Sequence, residues 1–459
     1  MRSVMVLVCC VVSWPLASQQ VACSFDEARA RMLQHSAALK VAAAEVEIAQ
    51  RERQRTQALW WPQLQGEGMY MHLSEEVEVR EPLSQFTDPL KEQVQHIVPG
   101  EQLITGLIDR VGEYVLTFPL LPQDVAQVGL AAEWVAFSGG KRIYADRVAR
   151  RLVDVAEVNE QRTGAAQEVL LVERYYGLVL ARQTTEVCRQ RYEALQRHYA
   201  DALRMEQVGM ADRAARLFAQ VALEEAEREW RHAESVQQTR HTALKQLLGM
   251  TDGDTLLIPT SPLFATTELP AEAVFVEAMR GGSYTLTTLS LEQRMAHDKL
   301  RMDLGGYLPS IALFGKQTLY AHGLPSNLLP RTVVGVGFVW NLFDGLDRER
   351  TISQSRLTQQ ALAWSHEDAE RELTVAVSEL YATLQRTMAD IRMLDTTIRL
   401  GEELLRVRRA AYAEGMATTT EVVDAENALA TSRVARLTAQ YACDVAMANL
   451  KAVCGSLKN

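Results

Sequence analysis

The stretch Trp340-Asn-Leu-Phe-Asp-Gly-Leu-Asp-Arg348 repeats the pattern of Trp134-Val-Ala-Phe-Ser-Gly-Gly-Lys-Arg142, 206 positions earlier. Gly209 and Gly415 keep the same separation, and so do Gly249 and Gly455. One offset therefore relates landmarks spread over a long span of each half, which is the mark of an internal duplication. The period is too large for a solenoid unit. It predicts two structurally equivalent halves, each carrying strands, a turn and two long helical runs.

Composition narrows this further. Of 459 residues 47% are hydrophobic but only 7% aromatic, and the net charge is -10. An acidic chain without a basic patch is not a nucleic-acid binder. Its apolar residues are mostly Ala, Leu and Val set among Glu, Gln and Arg, the composition of long helices.

Residues 1–22 read as a secretory signal peptide: Met-Arg, an apolar run from Val4 to Trp14, then the small residues Ala17, Ser18 and Ala22. The run is too short to span a bilayer as a helix, and no later segment offers enough uninterrupted apolar residues. Membrane insertion would have to use strands. Ala22-Cys23 resembles a lipoprotein processing site, although Gln20 stands where a Leu-like residue is usual. Cys23, Cys188, Cys443 and Cys454 of the mature chain match no zinc or redox spacing, which predicts ordinary buried thiols.

In chain order, residues 25–57 read as one helix stopped by Trp60-Trp61-Pro62. A strand follows at 63–72, then a proline-punctuated connection over 74–127. The next strand, about 127–137, places Val128, Leu130, Ala132, Trp134 and Ala136 on one face. Its duplicate places Val334, Val336, Phe338, Trp340 and Leu342 on one face, with Gly335, Gly337 and Asn341 on the other. Such alternation suits a sheet with one face toward lipid. A helix over 141–208, roughly 100 Å long at 1.5 Å per residue, ends at Gly209 and is followed by a return helix over 211–248. Residues 250–270 form a turn-rich linker. The second half repeats the plan: a helix over 272–303, a strand over 310–320, the Trp340 strand, a helix over 348–414, the Gly415 break and a return helix to 453. Pro62 and Pro309 stand 247 apart rather than 206, so the first strand-to-strand loop is the longer one. The organisation is thus signal 1–22, first repeat 23–249, linker 250–270 and second repeat 271–459.

Four strands cannot close a membrane barrel, whose smallest form has about eight, so copies of the chain must pool them. The order helix, Leu/Trp-Pro, strand, loop, Trp-x-x-Phe-x-Gly strand, long helix, Gly break and return helix, all duplicated, resembles the TolC-like outer-membrane efflux family over nearly the whole mature chain. The resemblance implies an α+β fold: a homotrimer whose transmembrane β-barrel, four strands per protomer, continues into a long periplasmic α-helical barrel. It implies outer membrane lipid, a periplasmic adaptor (membrane fusion) protein and an inner-membrane pump as partners, no cofactor, and a passive exit duct for efflux or type I secretion rather than an enzyme.

It also assigns residues. The helical tips for adaptor contact fall at Gly209, Met210, Gly415 and Met416. Glu421 and Asp424 take the places of the acidic residues that narrow the pore entrance, and a three-residue spacing puts both on one helix face. Three-fold symmetry would gather six carboxylates, favour cations and raise some carboxylate pKa values. Tyr412 matches a gate residue, while Ala417 and Ala215 stand where its familiar Arg and Asp partners are found. Trp134 and Trp340 lie near strand ends, fit either for an aromatic belt or for packing at the strand-to-helix junction. No catalytic or metal-binding spacing competes. An exported, elongated coiled-coil scaffold without channel activity is the alternative reading.

Overall fold

Most of the long helices end where proline or glycine interrupts good helix formers. The computed structural model describes residues 20–74, 77–78, 119–121, 123–250, 256–264, 268–323 and 330–455. Residues 1–19 of the expected signal, most of the 74–127 connection and part of the 250–270 linker lie outside them. The strands are β1 (Gln20–Cys23), β2 (Gln63–His72), β3 (Val77–Glu78), β4 (Pro119–Leu121), β5 (Asp124–Ser138), β6 (Leu256–Pro259), β7 (Ser310–His322) and β8 (Thr332–Val339). The helices are α1 (Phe25–His35), α2 (Ala37–Ala58), α3 (Lys141–Gln207), α4 (Arg213–Leu247), α5 (Glu272–Gly282), α6 (Tyr284–Leu304), α7 (Asp347–Ala413) and α8 (Thr419–Cys454). Both α3 and α7 run for 67 residues. No helix among the described residues is long and apolar enough to cross a membrane.

Three readings change. The helices expected over 25–57 and 272–303 are each broken once, at Ser36 and Ser283, where the backbone leaves helical geometry (φ −58° and ψ 118° at Ser36, φ −58° and ψ 124° at Ser283). Ser36 restarts the helix because its hydroxyl accepts from the Leu39 N–H at 3.4 Å, a capping bond that serine competes well for. The 250–270 linker also contains a strand: β6 pairs in parallel with β1, Val21 opposite Leu257 and Cys23 opposite Pro259. The 74–127 connection is shorter than expected, since β5 begins at Asp124, and it includes the antiparallel pair β3 and β4.

The chain divides into two units, one of Glu45–Ala156 and Leu289–His366, the other comprising the rest. The first holds a four-stranded antiparallel sheet in the order β2-β5-β7-β8. Register puts Leu64 opposite Ala132, Leu130 opposite Gln317 and Leu313 opposite Val336, so the outward stripes of neighbouring strands line up on one face. That face is exposed and apolar: Val334 keeps 80% and Phe338 72% of its surface accessible. On the opposite face Glu67 pairs with Lys316 at 2.6 Å. Gly129 and Gly335 leave no room there for a Cβ, which would press on the Gln317 carbonyl oxygen at 2.9 Å and on the Phe314 ring respectively.

The second unit has two apolar cores built from corresponding positions. One gathers Ala28, Met32, Leu171, Leu178, Leu244 and Leu248; the other gathers Phe275, Met279, Val377, Leu384, Leu450 and Cys454. Each full burial of such a side chain contributes about 1.5–3 kcal/mol, which fixes the short opening helices against the long ones. In the first core Tyr175 is fully buried and its hydroxyl is saturated: it donates to the Cys23 carbonyl at 2.8 Å and accepts from the Thr260 and Ser261 N–H groups at 3.1 and 3.0 Å. This ties β1 to the linker segment just after β6. The four cysteines 23, 188, 443 and 454 are free thiols.

Candidate functional site

Both helical turns use the same backbone device. Gly209 (φ +79°) and Gly415 (φ +74°) take the left-handed conformation that ends a helix, donating to the Glu206 and Tyr412 carbonyls at 3.0 Å each. The next residues, Met210 and Met416, donate to the Met205 and Ala411 carbonyls at 2.9 and 2.8 Å, and both side chains are exposed. The return helices are then capped by Asp212, which accepts from the Ala215 N–H at 2.8 Å, and by Thr418. Ion pairs lock each hairpin: Glu206 with Arg216 at 2.6 Å in the first, Arg408 with Glu421 at 2.8 Å and Arg409 with Glu426 in the second.

Glu421 has a local task. Its carboxylate accepts from the Thr418 N–H at 2.8 Å while the Thr418 hydroxyl accepts from the Glu421 N–H at 3.3 Å, a reciprocal capping box. The Thr418 N–H, with Arg408 adding to it, holds this carboxyl below the usual carboxylate range within the chain. Asp424 lies one turn further along α8 and is exposed. Tyr412 is buried, with 7% of its surface accessible. Its hydroxyl accepts from the Thr419 hydroxyl at 3.3 Å, and its ring meets the His198 ring edge-on with centroids 4.7 Å apart. Ala417 and Ala215 stand where the resemblance would place an Arg and an Asp, and Tyr412 is held by Thr419 and His198.

In the sheet unit, Trp134 and Trp340 do the same job twice. The Trp134 indole donates to the Trp60 carbonyl at 3.0 Å and the Trp340 indole to the Tyr307 carbonyl at 3.1 Å. Each acceptor residue lies under an arginine: Arg142 covers the Trp60 ring at 4.7 Å and Arg348 the Tyr307 ring at 4.6 Å. Arg142 also donates to the Leu59 and Ala136 carbonyls at 3.0 and 2.8 Å, and Arg348 to the Gly306, Asn341 and Leu342 carbonyls at 3.2, 2.9 and 3.3 Å. Charge-assisted bonds of this kind are each worth roughly 1.5–3 kcal/mol. The two clamps bind the end of a strand to the chain entering its neighbour and to the helix that follows.

Residues 285–456 match a family model described as outer membrane efflux protein. Among solved structures the chain is similar to CusC, described with the conformational changes accompanying folding and transmembrane channel formation, at a TM-score of 0.75 and 17% identity over 94% of this chain and 92% of that one. It is similar to the outer membrane protein VceC of Vibrio cholerae, with a TM-score of 0.73 and 15% identity over 94% and 96% of the two chains. The fold is that of a TolC-like outer-membrane efflux protein. The CmeC outer membrane channel of Campylobacter jejuni gives a TM-score of 0.71 at 13% identity, covering 94% of this chain and 85% of that one. No curated protein matches the chain in sequence.

For a TolC-like tip, the residues that sequence reasoning passed over are Arg408, Arg409, Glu426 and His198. The arginines had a signal, since they precede Tyr412 by four and three positions and so sit on the helix face that meets α8. His198 had none: it lies on another helix, α3, and meets Tyr412 only in the fold. The arginines of the two clamps were in plain view, as both copies of the opening pattern end in Arg142 and Arg348.

Proposed function

We propose that this chain is an outer-membrane exit duct of a tripartite efflux or type I secretion system, and not an enzyme. Three copies pool their four strands into one twelve-stranded barrel, each chain contributing two copies of one strand-and-helix unit, and the helices extend the passage into the periplasm. The observation that carries this reading is the sheet itself. Its outer face is apolar and exposed, its other face carries the Glu67–Lys316 pair and glycines, and β2 and β8 end the sheet with no strand beyond them among the described residues. In a bilayer every backbone N–H and C=O must find a partner, which two open edges satisfy only by pairing with other copies.

The two glycine turns, with exposed Met210 and Met416, are the surface offered to a periplasmic adaptor, and an inner-membrane pump supplies the energy. Glu421 and Asp424 from three copies form an acidic, cation-favouring entrance, and Tyr412 governs its width. The test is single-channel current from detergent-purified protein in a planar bilayer under a salt gradient. Wild type is compared with Glu421→Gln/Asp424→Asn, because Gln keeps the acceptor of the capping box whereas Ala would remove it. The expected result is a stable pore whose preference for cations falls several-fold in the double variant. A pore indifferent to the substitution would remove the entrance assignment, and folded protein that forms no pore would overturn the duct.

A further inference from the structure

We propose that His198 is the residue that holds Tyr412 in place, and that it does so only while its imidazole is neutral, making the second tip open more readily as the pH falls. The inference rests on the reading of Tyr412 as a gate. The geometry that carries it is local. His198 sits on α3 and keeps only 7% of its surface accessible. Its ring lies 4.7 Å from the Tyr412 ring on α7, inclined at 60°. On the third side the Thr419 hydroxyl of α8 donates to the Tyr412 hydroxyl at 3.3 Å. Three helices therefore meet at one imidazole, and Tyr412 cannot swing without breaking that packing. The His198 Nε2 is buried and has no hydrogen-bond partner. A proton added there would be an unsatisfied donor on a buried cation, which a protein interior tolerates poorly.

The charged and polar groups around the ring do not rescue that cation. Asp201 on α3 and the Thr419 backbone on α8 favour protonation, Arg409 on α7 opposes it, and burial opposes it most, so the pKa lies below its ordinary value of 6.5. Arg409 is itself engaged by Glu426 of α8, which fixes this positive charge in place. The sign follows directly. In an opened tip His198 meets water and regains its ordinary pKa, so it takes up a proton that the packed tip refuses. The packed tip has its full advantage above 6.5 and loses it as the pH falls below that value. One histidine of this kind multiplies the opened population by up to about tenfold between pH 7.5 and pH 5.5.

Hydrogen exchange of peptides covering residues 405–425, expressed as protection relative to intrinsic exchange rates, tests this without relying on current. Purified wild-type protein is compared with His198→Phe, which keeps an aromatic ring against Tyr412 but cannot titrate, and with His198→Gln. The expected result is that wild-type protection of these peptides drops several-fold, up to about tenfold, on going from pH 7.5 to pH 5.5, and that the drop is lost in His198→Phe. Wild-type protection that does not change, or a drop of equal size in both variants, would overturn the proposal. The readout also separates the two claims: protein that makes no pore but shows the His198-dependent drop keeps the latch and loses the duct, whereas a pore with pH-independent tip protection does the reverse.

Discussion

One half-buried carboxylate shows how little the formal charge of a residue says about its role. Asp444 accepts from the Phe264 N–H at 2.8 Å, and burial pushes its pKa from 3.8 up to about 6. A raised carboxyl pKa means that the folded chain binds the proton more tightly than the unfolded chain, so this position gains stability as the pH falls from above 6 toward 3.8. At pH 7.5 it stays ionised at a cost. Asp444→Asn keeps an acceptor for Phe264 and removes the charge, and it should raise the apparent unfolding midpoint by a few degrees at pH 7.5, with the gain shrinking toward pH 4.5. Thermal unfolding at the two pH values checks this; a loss of stability at both would contradict it. The direction is opposite to that at His198, where acid loosens the packing. Neither group stood out in the sequence, because Asp and His are common on exposed faces of such helices and burial is decided by which helices meet. Glu421 carries the complementary lesson. Thr418-x-x-Glu421 is a legible capping box, yet the same glutamate occupies the place of an entrance acid, and one side chain serves the local bond whatever else it does.

At the scale of elements, duplication made much of the fold readable. The shared offset located both glycine turns, both long helices and the exposed stripe of β5 and β8 before any coordinates. It could not locate β1 and β6, because four-residue strands carry almost no periodic signal and their pairing joins residues more than two hundred positions apart. Nor did it reveal the break at Ser36, where the propensity of the surrounding Ala, Leu and Glu argues for continuity and the capping serine outweighs it, or the break at Ser283, which follows Gly281 and Gly282. The strand-to-helix junctions allow a sharper comparison. Gly139 and Gly345 both adopt positive φ, +64° and +72°, but a Cβ at Gly139 would overlap the Gly305 carbonyl oxygen whereas nothing lies within 4 Å at Gly345. Gly345→Ala should therefore cost about 1 kcal/mol, the conformational penalty alone. Gly139→Ala adds a backbone clash and should cost roughly 3 kcal/mol or more. Equal unfolding midpoints for the two variants would show that the close approach at Gly139 is unimportant.

For the molecule as a whole, the sequence and the fold lead to the same requirement. The sheet has an apolar, exposed face and, among the described residues, two unpaired edges, which the proposed duct completes by pairing copies. On the function proposed above, substrate choice belongs to the pump, because a passive duct accepts what it is given. The proposed duct requires that copies join through β2 of one copy and β8 of the next. The most direct measurement is site-specific crosslinking between these edges in membranes, using single cysteines introduced along Gln63–His72 and Thr332–Val339 in pairwise combination. The account predicts that neighbouring positions yield a covalent ladder of two and then three copies, ending at three, and that closure at three survives detergent extraction. Crosslinks confined to one chain, or a ladder that runs on without ending at three, would contradict it.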